Sequence, residues 1–329
     1  IYYLSEQKGN NNLFRRTLGQ KNDVQLTHFD LHPVRHLTRA NNGMMCFSQN
    51  GELYTMVDGQ QPQKVNITVT TDVIEKDVIR SIRNSGATDM AVSPTGKEVA
   101  FIIRGDVYVT STEYKTTRQI TDTPEQERNI DFAPDGKSLV YSAERNGVWQ
   151  LWQTSIVGKE DKQLVYAAEL KEECLTNNDK TSFQPKYSPD GKEIAYLEDR
   201  TTIRVINLAS RQIRTVMEGK YQYSYSDGDQ TFCWSPDSRW LLSESITVGG
   251  WHNRDIVLLK ADGSEMHNLT ESGYIDGNPH FVLGGKAMIW QSDRAGYRSH
   301  GSWGTEFDEY IMFFDLDAYE RFRLSKEEV

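Results

Sequence analysis

The chain has 329 residues, 37 Lys+Arg against 47 Asp+Glu for a formal net charge of −10, and 12 Phe, 16 Tyr and 7 Trp. That aromatic content excludes a disordered chain, and the longest apolar runs, such as Val99-Ala100-Phe101-Ile102-Ile103, fall far short of the roughly 20 residues that a membrane-crossing helix needs. An acidic balance without a Lys/Arg run argues against nucleic acid as a partner, because phosphate binding rests on clustered cations.

Three short β-prone stretches open the chain, Ile1 to Leu4, Asn12 to Thr17 and Asp23 to Thr27. A longer unit then recurs around one turn: Asn41-Asn42-Gly43, Ser93-Pro94-Thr95-Gly96-Lys97, Ala133-Pro134-Asp135-Gly136-Lys137, Ser188-Pro189-Asp190-Gly191-Lys192, Ser235-Pro236-Asp237-Ser238-Arg239 and, degenerate, Val282-Leu283-Gly284-Gly285-Lys286. Successive turns are 53, 40, 55, 47 and 47 residues apart, a period that belongs to propeller blades. Pro presets φ at the first central position, Asp bonds its own backbone and Gly supplies positive φ, so strands must flank each turn. An apolar run follows each one, for instance Leu139-Val140-Tyr141 and Ile194-Ala195-Tyr196-Leu197. A third strand comes next (Asp106 to Val109, Trp149 to Trp152, Ile203 to Ile206, Asp255 to Leu259), and a weaker fourth closes the unit (Arg118 to Thr121, Met266 to Thr270, Arg321 to Leu324).

The expected fold class is therefore all-β: a seven-bladed β-propeller of four-stranded antiparallel blades whose first blade lacks its leading strand. The blades are expected at 1–28, 32–69, 87–122, 128–166, 181–218, 230–271 and 277–325, in one domain over 1–329 that is part of a longer polypeptide. An insertion, Thr71 to Arg80, reads as a strand extension or one helical turn. Long polar, aromatic loops separate the second and third strands of the last two blades, Thr247 to Arg254 and Asp293 to Gly304. All such loops emerge on one face of a radial array, so both are expected on the same side.

Chemistry-bearing motifs are sparse. There is no G-x-S-x-G, G-x-G-x-x-G, P-loop or H-E-x-x-H, so no catalytic residue, cofactor or metal is assigned. His28, His32 and His36 recur at spacings of four, but Pro33 breaks the helix that would align them. Cys46, Cys174 and Cys233 form no C-x-x-C and read as small hydrophobes or free thiols. Candidate binding residues are Trp251, His252, Arg254, Arg298, His300 and Trp303. They combine the aromatic and cationic types that dominate interface hot spots on long loops.

The Ser-Pro-Asp-Gly-Lys turns resemble TolB-type, WD-like propeller repeats. His32-Pro33-Val34-Arg35, Ser85-Gly86-Ala87-Thr88, Ser93 to Ile102, Ser142 to Gly147, Ser299 to Gly304 and the ending Ala318 to Glu328 resemble tricorn-type proteases, essentially from Ile1 to Val329. The resemblance implies the seven-bladed propeller region of a serine peptidase whose catalytic and PDZ-like regions lie elsewhere, so no catalytic residue is carried over. It implies a non-catalytic module that guides or filters peptide substrates, with those substrates and the peptidase's other regions as partners and a homo-oligomeric parent left open. A cytoplasmic place follows from the resemblance, with a periplasmic one also open. The alternative is a TolB-like protein-binding scaffold with no attached protease.

Overall fold

The computed structural model describes residues 1–68, 81–226, 228–247, 250, 252–298 and 304–328. The Thr71 to Arg80 insertion lies outside them. The chain divides into two compact units, Ile1–Asn84 and Ser85–Val329. Seven antiparallel sheets follow one another in chain order, each a meander of successive strands.

The first unit holds two sheets. One is built from β1 (Tyr2–Ser5), β2 (Asn12–Arg16) and β3 (Asp23–Gln25), the other from β4 (Arg35–Arg39), β5 (Met45–Gln49), β6 (Glu52–Met56) and β7 (Gln63–Lys64). The opening sheet thus has the three strands expected of it. Leu13, Val34, Met45, Phe47 and Met56 form the core of this unit, joined by Tyr2, Phe29 and Tyr54. Asp58 ties the two sheets by accepting from Tyr2 Oη at 2.8 Å and Arg15 Nη1 at 2.6 Å.

The second unit holds five. The third sheet comprises β8 (Ala87–Val92), β9 (Glu98–Ile103), β10 (Asp106–Ser111) and β11 (Thr117–Gln119), and the fourth β12 (Glu127–Phe132), β13 (Ser138–Arg145), β14 (Val148–Ile156) and β15 (Leu170–Cys174). β16 (Ser182–Tyr187), β17 (Glu193–Glu198), β18 (Thr202–Asn207) and β19 (Ile213–Met217) make the fifth, and β20 (Phe232–Trp234), β21 (Trp240–Ser245), β22 (Asp255–Lys260) and β23 (Met266–Asn268) the sixth. The last contains β24 (Asp276–Val282), β25 (Ala287–Ser292) and β26 (Asp308–Phe313).

Both faces of the middle sheets are covered, which explains why their second strands read as unbroken apolar runs rather than alternating ones. Along β13, Leu139, Tyr141 and Ala143 pack with Ile102 and Val109 of the third sheet, whereas Val140 packs with Ile194 and Tyr196 of the fifth. Along β17, Ala195 and Leu197 turn the other way, toward Leu241 and Val257. Period-two alternation is present, but both directions lead into core.

The repeated turns also stack. A Cβ on Gly136 would lie 3.8 Å from the Pro94 ring, one on Gly191 3.6 Å from Pro134 and one on Gly285 3.2 Å from Pro236. Where Ser238 replaces the glycine, its Oγ instead accepts the Asp190 amide at 3.0 Å. Glycine is demanded most strictly elsewhere, at Gly263 (φ +81°), where a Cβ would collide with the main-chain oxygen of Thr215 in β19. Gly263→Ala is expected to destabilise the second unit by about 1–3 kcal/mol, read as a lower denaturant midpoint with unchanged slope. An unchanged midpoint would show that the turn moves away at no cost.

The fourth strand expected at Arg321 to Leu324 is not formed. Leu316–Phe322 is instead a helix, α1, whose N-cap Asp315 accepts the Ala318 amide at 2.8 Å. The last sheet therefore has three strands. Leu316, Ala318, Glu320 and Arg321 are good helix formers, and Phe313 of β26 packs against Tyr319 and Phe322 with ring centroids 5.4 and 5.2 Å away, contacts that helical spacing provides.

Candidate functional site

Antiparallel pairing places the start of each first strand beside the loop joining the second and third strands, so these features share one end of every sheet. In the second unit that end carries most of the buried charge. β8, β12 and β16 lie side by side there, as do β20 and β24. Bulges interrupt β12, β16 and β24 between Arg128 and Asp131, Phe183 and Lys186, and Gly277 and His280, with Asn129, Gln184 and Asn278 at φ of 56°, 52° and 54°. Each bulge frees backbone N–H groups, and the preceding sheet supplies the acceptors. Asn129 Oδ1 accepts from Gln184 N at 3.2 Å, Asp131 Oδ2 from Tyr187 N at 2.9 Å, and Glu244 Oε1 from Asn278 N at 2.9 Å.

Arginines meet buried carboxylates at the same end. Arg145 pairs with Glu127 at 2.7 Å, Arg204 with Glu198 at 2.7 Å, Arg294 with Asp276 at 2.9 Å, and Arg254 with Glu244. Burial pushes the Glu127 carboxyl above the usual range against the pull of Arg145 and Thr121. At Asp276 burial also pushes upward, but hydrogen bonds from Ser272, Ser292 and Arg294 outweigh it and hold the carboxyl below its ordinary value.

The two long loops meet through one side chain. Arg298 Nη2 donates to Asn253 Oδ1 at 2.9 Å and to the His252 carbonyl at 3.4 Å, and Nη1 donates to the Gly273 carbonyl at 2.9 Å. Its Nε lies 3.1 Å from the buried Asp293 carboxylate, and the guanidinium sits over the Tyr274 ring at 5.5 Å. Of the sequence-predicted residues, His252 and Arg298 are thus brought together, while Arg254 turns inward to Glu244. Trp251, His300 and Trp303 lie outside the described residues.

A cavity of about 130 Å³ opens at this end of the fourth and fifth sheets, lined by Arg128, Asn129, Phe183, Gln184, Arg200 and Asp229 among others. Phe183 packs against Trp149 at 5.3 Å, and Arg128 lies over the Trp149 ring at 5.0 Å. In the equivalent hairpin turns of the second, third and fourth sheets the second residue is Gly51, Gly105 or Gly147; here it is Arg200, at φ of 70°. Backbone strain of this kind costs on the order of 1 kcal/mol or more and clusters at functional positions. Sequence reasoning missed this cavity and the buried acids. The available signal was the departure from Gly at Arg200 and the Glu or Asp ending successive apolar runs, at Glu198, Glu244 and Asp293.

Among the described residues, no group of three His, Cys, Asp or Glu side chains is placed to hold a metal ion. The arrangement offers aromatic faces, amide groups and cations for non-covalent recognition.

No family model matches the chain. An uncharacterized protein of Agrobacterium fabrum is 23% identical over 267 residues, covering 70% of this chain and 85% of that one. A TolB homolog of Chlorobium luteolum is 25% identical over 49% of this chain and 33% of its own length, and a tricorn protease homolog of Saccharolobus solfataricus is 21% identical over 89% of this chain and 25% of its own. The chain thus spans a third or less of these two longer relatives. In three dimensions it matches a crystal structure of the tricorn protease with a TM-score of 0.52 at 18% identity, covering 95% of this chain and 29% of that one. The fold class is accordingly that of a seven-bladed β-propeller of the kind seen in tricorn-type and TolB-type proteins.

Proposed function

We propose that this chain is a non-catalytic propeller module of a tricorn-like serine peptidase, guiding or filtering extended peptides toward an active site elsewhere in the polypeptide. The observation that carries the reading is similarity running through 89% of this chain while occupying 25% of the tricorn protease homolog. Phe183 beside Trp149, the Arg128 guanidinium over that ring and the Arg298–Tyr274 pair of the loop region are suited to holding a peptide by aromatic and cationic contacts without strict sequence choice. The similarity to a TolB homolog favours a second reading, a scaffold for folded protein partners without an attached protease.

One measurement tests the non-catalytic assignment and a second separates the two readings. Purified chain incubated with fluorogenic peptides is expected to show no turnover above buffer, and turnover that co-purifies with the chain through repeated chromatography would sink the non-catalytic assignment. Labelled unfolded peptides are expected to bind with weak, salt-tolerant affinity, and Phe183→Ala is expected to weaken that binding about tenfold. Failure of every extended peptide to bind would favour the scaffold reading.

A further inference from the structure

Successive sheets of the second unit are sealed by side chains at two recurring places, one two residues after the repeated turn and one on the fourth strand. In the third sheet these are Glu98, after Gly96, and Arg118, opposite Val109. Glu98 accepts the Val165 amide at 2.8 Å, and Arg118 donates to the Leu164 and Ala167 carbonyls. These partners lie between β14 and β15 of the next sheet, and Leu164 is fully buried there. Glu193 and Arg214 hold the same places in the fifth sheet, paired at 2.6 Å, and Arg214 Nε donates to the Ala261 carbonyl of the sixth at 2.7 Å. In the fourth sheet Glu173, opposite Gln153, accepts from Arg211 of the fifth at 2.7 Å. At each junction, one sheet grips the connection between the third and fourth strands of the next.

The junction of the sixth and last sheets departs from this pattern. Trp240 and His267 stand at the two places, with ring centroids 6.2 Å apart, and His267 Nε2 lies 3.2 Å from Glu265 of its own sheet. After β26 the chain runs into α1, which packs on Phe313, while Phe314 points to the opposite face beside Phe281. The space that a connection fills elsewhere is here a groove of about 370 Å³. Its walls are Trp240 and Leu258 of the sixth sheet and Phe281 and Phe314 of the last, with Pro236 at the turn. Every wall belongs to the second unit. Leu258 is partly exposed, whereas its counterparts Val109 and Val205 are sealed. The volume falls in the range of ligand sites.

Composition selects the occupant. Glu98 and Arg118 hold a main chain through its amide and carbonyl groups, whereas facing aromatic rings reward an apolar side chain. Charges at the rim are spent on one another, Asp237 with Arg239 at 2.7 Å and Glu265 with Lys260 at 2.6 Å. We propose that this groove is a docking site for a neutral, extended peptide segment of another chain, which inserts a large apolar side chain as Leu164 does at the junction of the third and fourth sheets. The site lies at the turn end of the sheets, away from the loop face, and does not rest on the peptidase reading.

Fluorescence anisotropy of a labelled Gly/Ser peptide with a central Phe-Leu pair, titrated with the 329-residue chain, tests this. The expected result is saturable binding that weakens at least about tenfold when Ser-Ser replaces Phe-Leu, and likewise in Trp240→Ala. Trp240→Glu with His267→Arg rebuilds the Glu–Arg pair of the fifth sheet across the groove. That variant is expected to lose the advantage of Phe-Leu over Ser-Ser with its thermal unfolding unchanged, and Phe183→Ala is expected to keep it. No saturable binding of the Phe-Leu peptide, or an advantage indifferent to both Trp240 variants, overturns the proposal. An advantage lost in Phe183→Ala and kept in Trp240→Ala also overturns it, while leaving peptide guidance by the loop end standing.

Discussion

Asp276→Ala is expected to cost the second unit about 3–5 kcal/mol of stability, the range for breaking a buried ion pair from one side. The carboxylate is fully buried and accepts from Ser272 Oγ at 2.6 Å, Trp290 Nε1 at 3.1 Å and Arg294 Nη2 at 2.9 Å. Its removal strands an indole N–H and a cation at once. Arg294 remains 30% exposed and can draw on water, which places the cost toward the lower end and the melting shift near roughly 10 °C. The pH dependence carries its own sign. Because the folded-state pKa of Asp276 is depressed, its contribution is complete above the unfolded value near 4 and is lost as pH falls through the folded one. The stability gap between wild type and Asp276→Ala should therefore be constant near neutrality and shrink in acid. A gap that holds constant down to the lowest accessible pH would show that the loss is one of packing rather than charge.

Arg298→Ala is expected to release the two long loops together. The substitution removes the donors to Asn253, His252 and Gly273 and leaves Asp293 buried, with the Ile275 amide at 2.8 Å as its remaining hydrogen-bond donor among the described residues. Arg298 is one-third exposed, so the global cost should be about 2 kcal/mol, below that of a sealed pair. The larger effect is local. Amide exchange at His252, Asn253, Tyr274 and Ile275 should accelerate at least tenfold while the strands of the third and fourth sheets stay protected, since opening free energies differ between segments. Arg298→Lys keeps a charge for Asp293 but lacks the planar fork, so it should recover part of the stability and little of the exchange protection. Unaltered exchange in Arg298→Ala would mean that the loops are held by other contacts. With its donors engaged inside the fold, Arg298 acts as a fastener that shapes the loop face, and a partner would meet the surface it organises.

Most of the architecture was legible because its determinants are local. Pro at the first turn position, Asp bonding the residue two ahead and Gly or Ser at positive φ specify a reversal within five residues, and the Ser188-Pro189-Asp190-Gly191-Lys192 turn forms in this way, with Asp190 Oδ1 accepting the Lys192 amide at 3.1 Å. Period counting then places the strands, among them the three of the opening sheet. The ending was misjudged because Arg321 to Leu324 looks as apolar and alternating as the other closing strands. Whether that stretch pairs with β26 or coils against Phe313 depends on a cap at Asp315 and on ring contacts from Tyr319 and Phe322.

By itself, the sequence determined the class, the repeat, the order of every strand but the last one expected and which loops would be long, all carried by turn and strand signals only a few residues in length. Only the tertiary structure decided which charges meet. Arg298 and Asn253 are 45 residues apart, and Asp131 and the Tyr187 amide are 56 apart. Nothing in the pattern around either partner names the other. Their pairing is set by the stacking of successive sheets, which brings equivalent ends together and makes each buried carboxylate find its donor in a neighbouring element rather than in solvent.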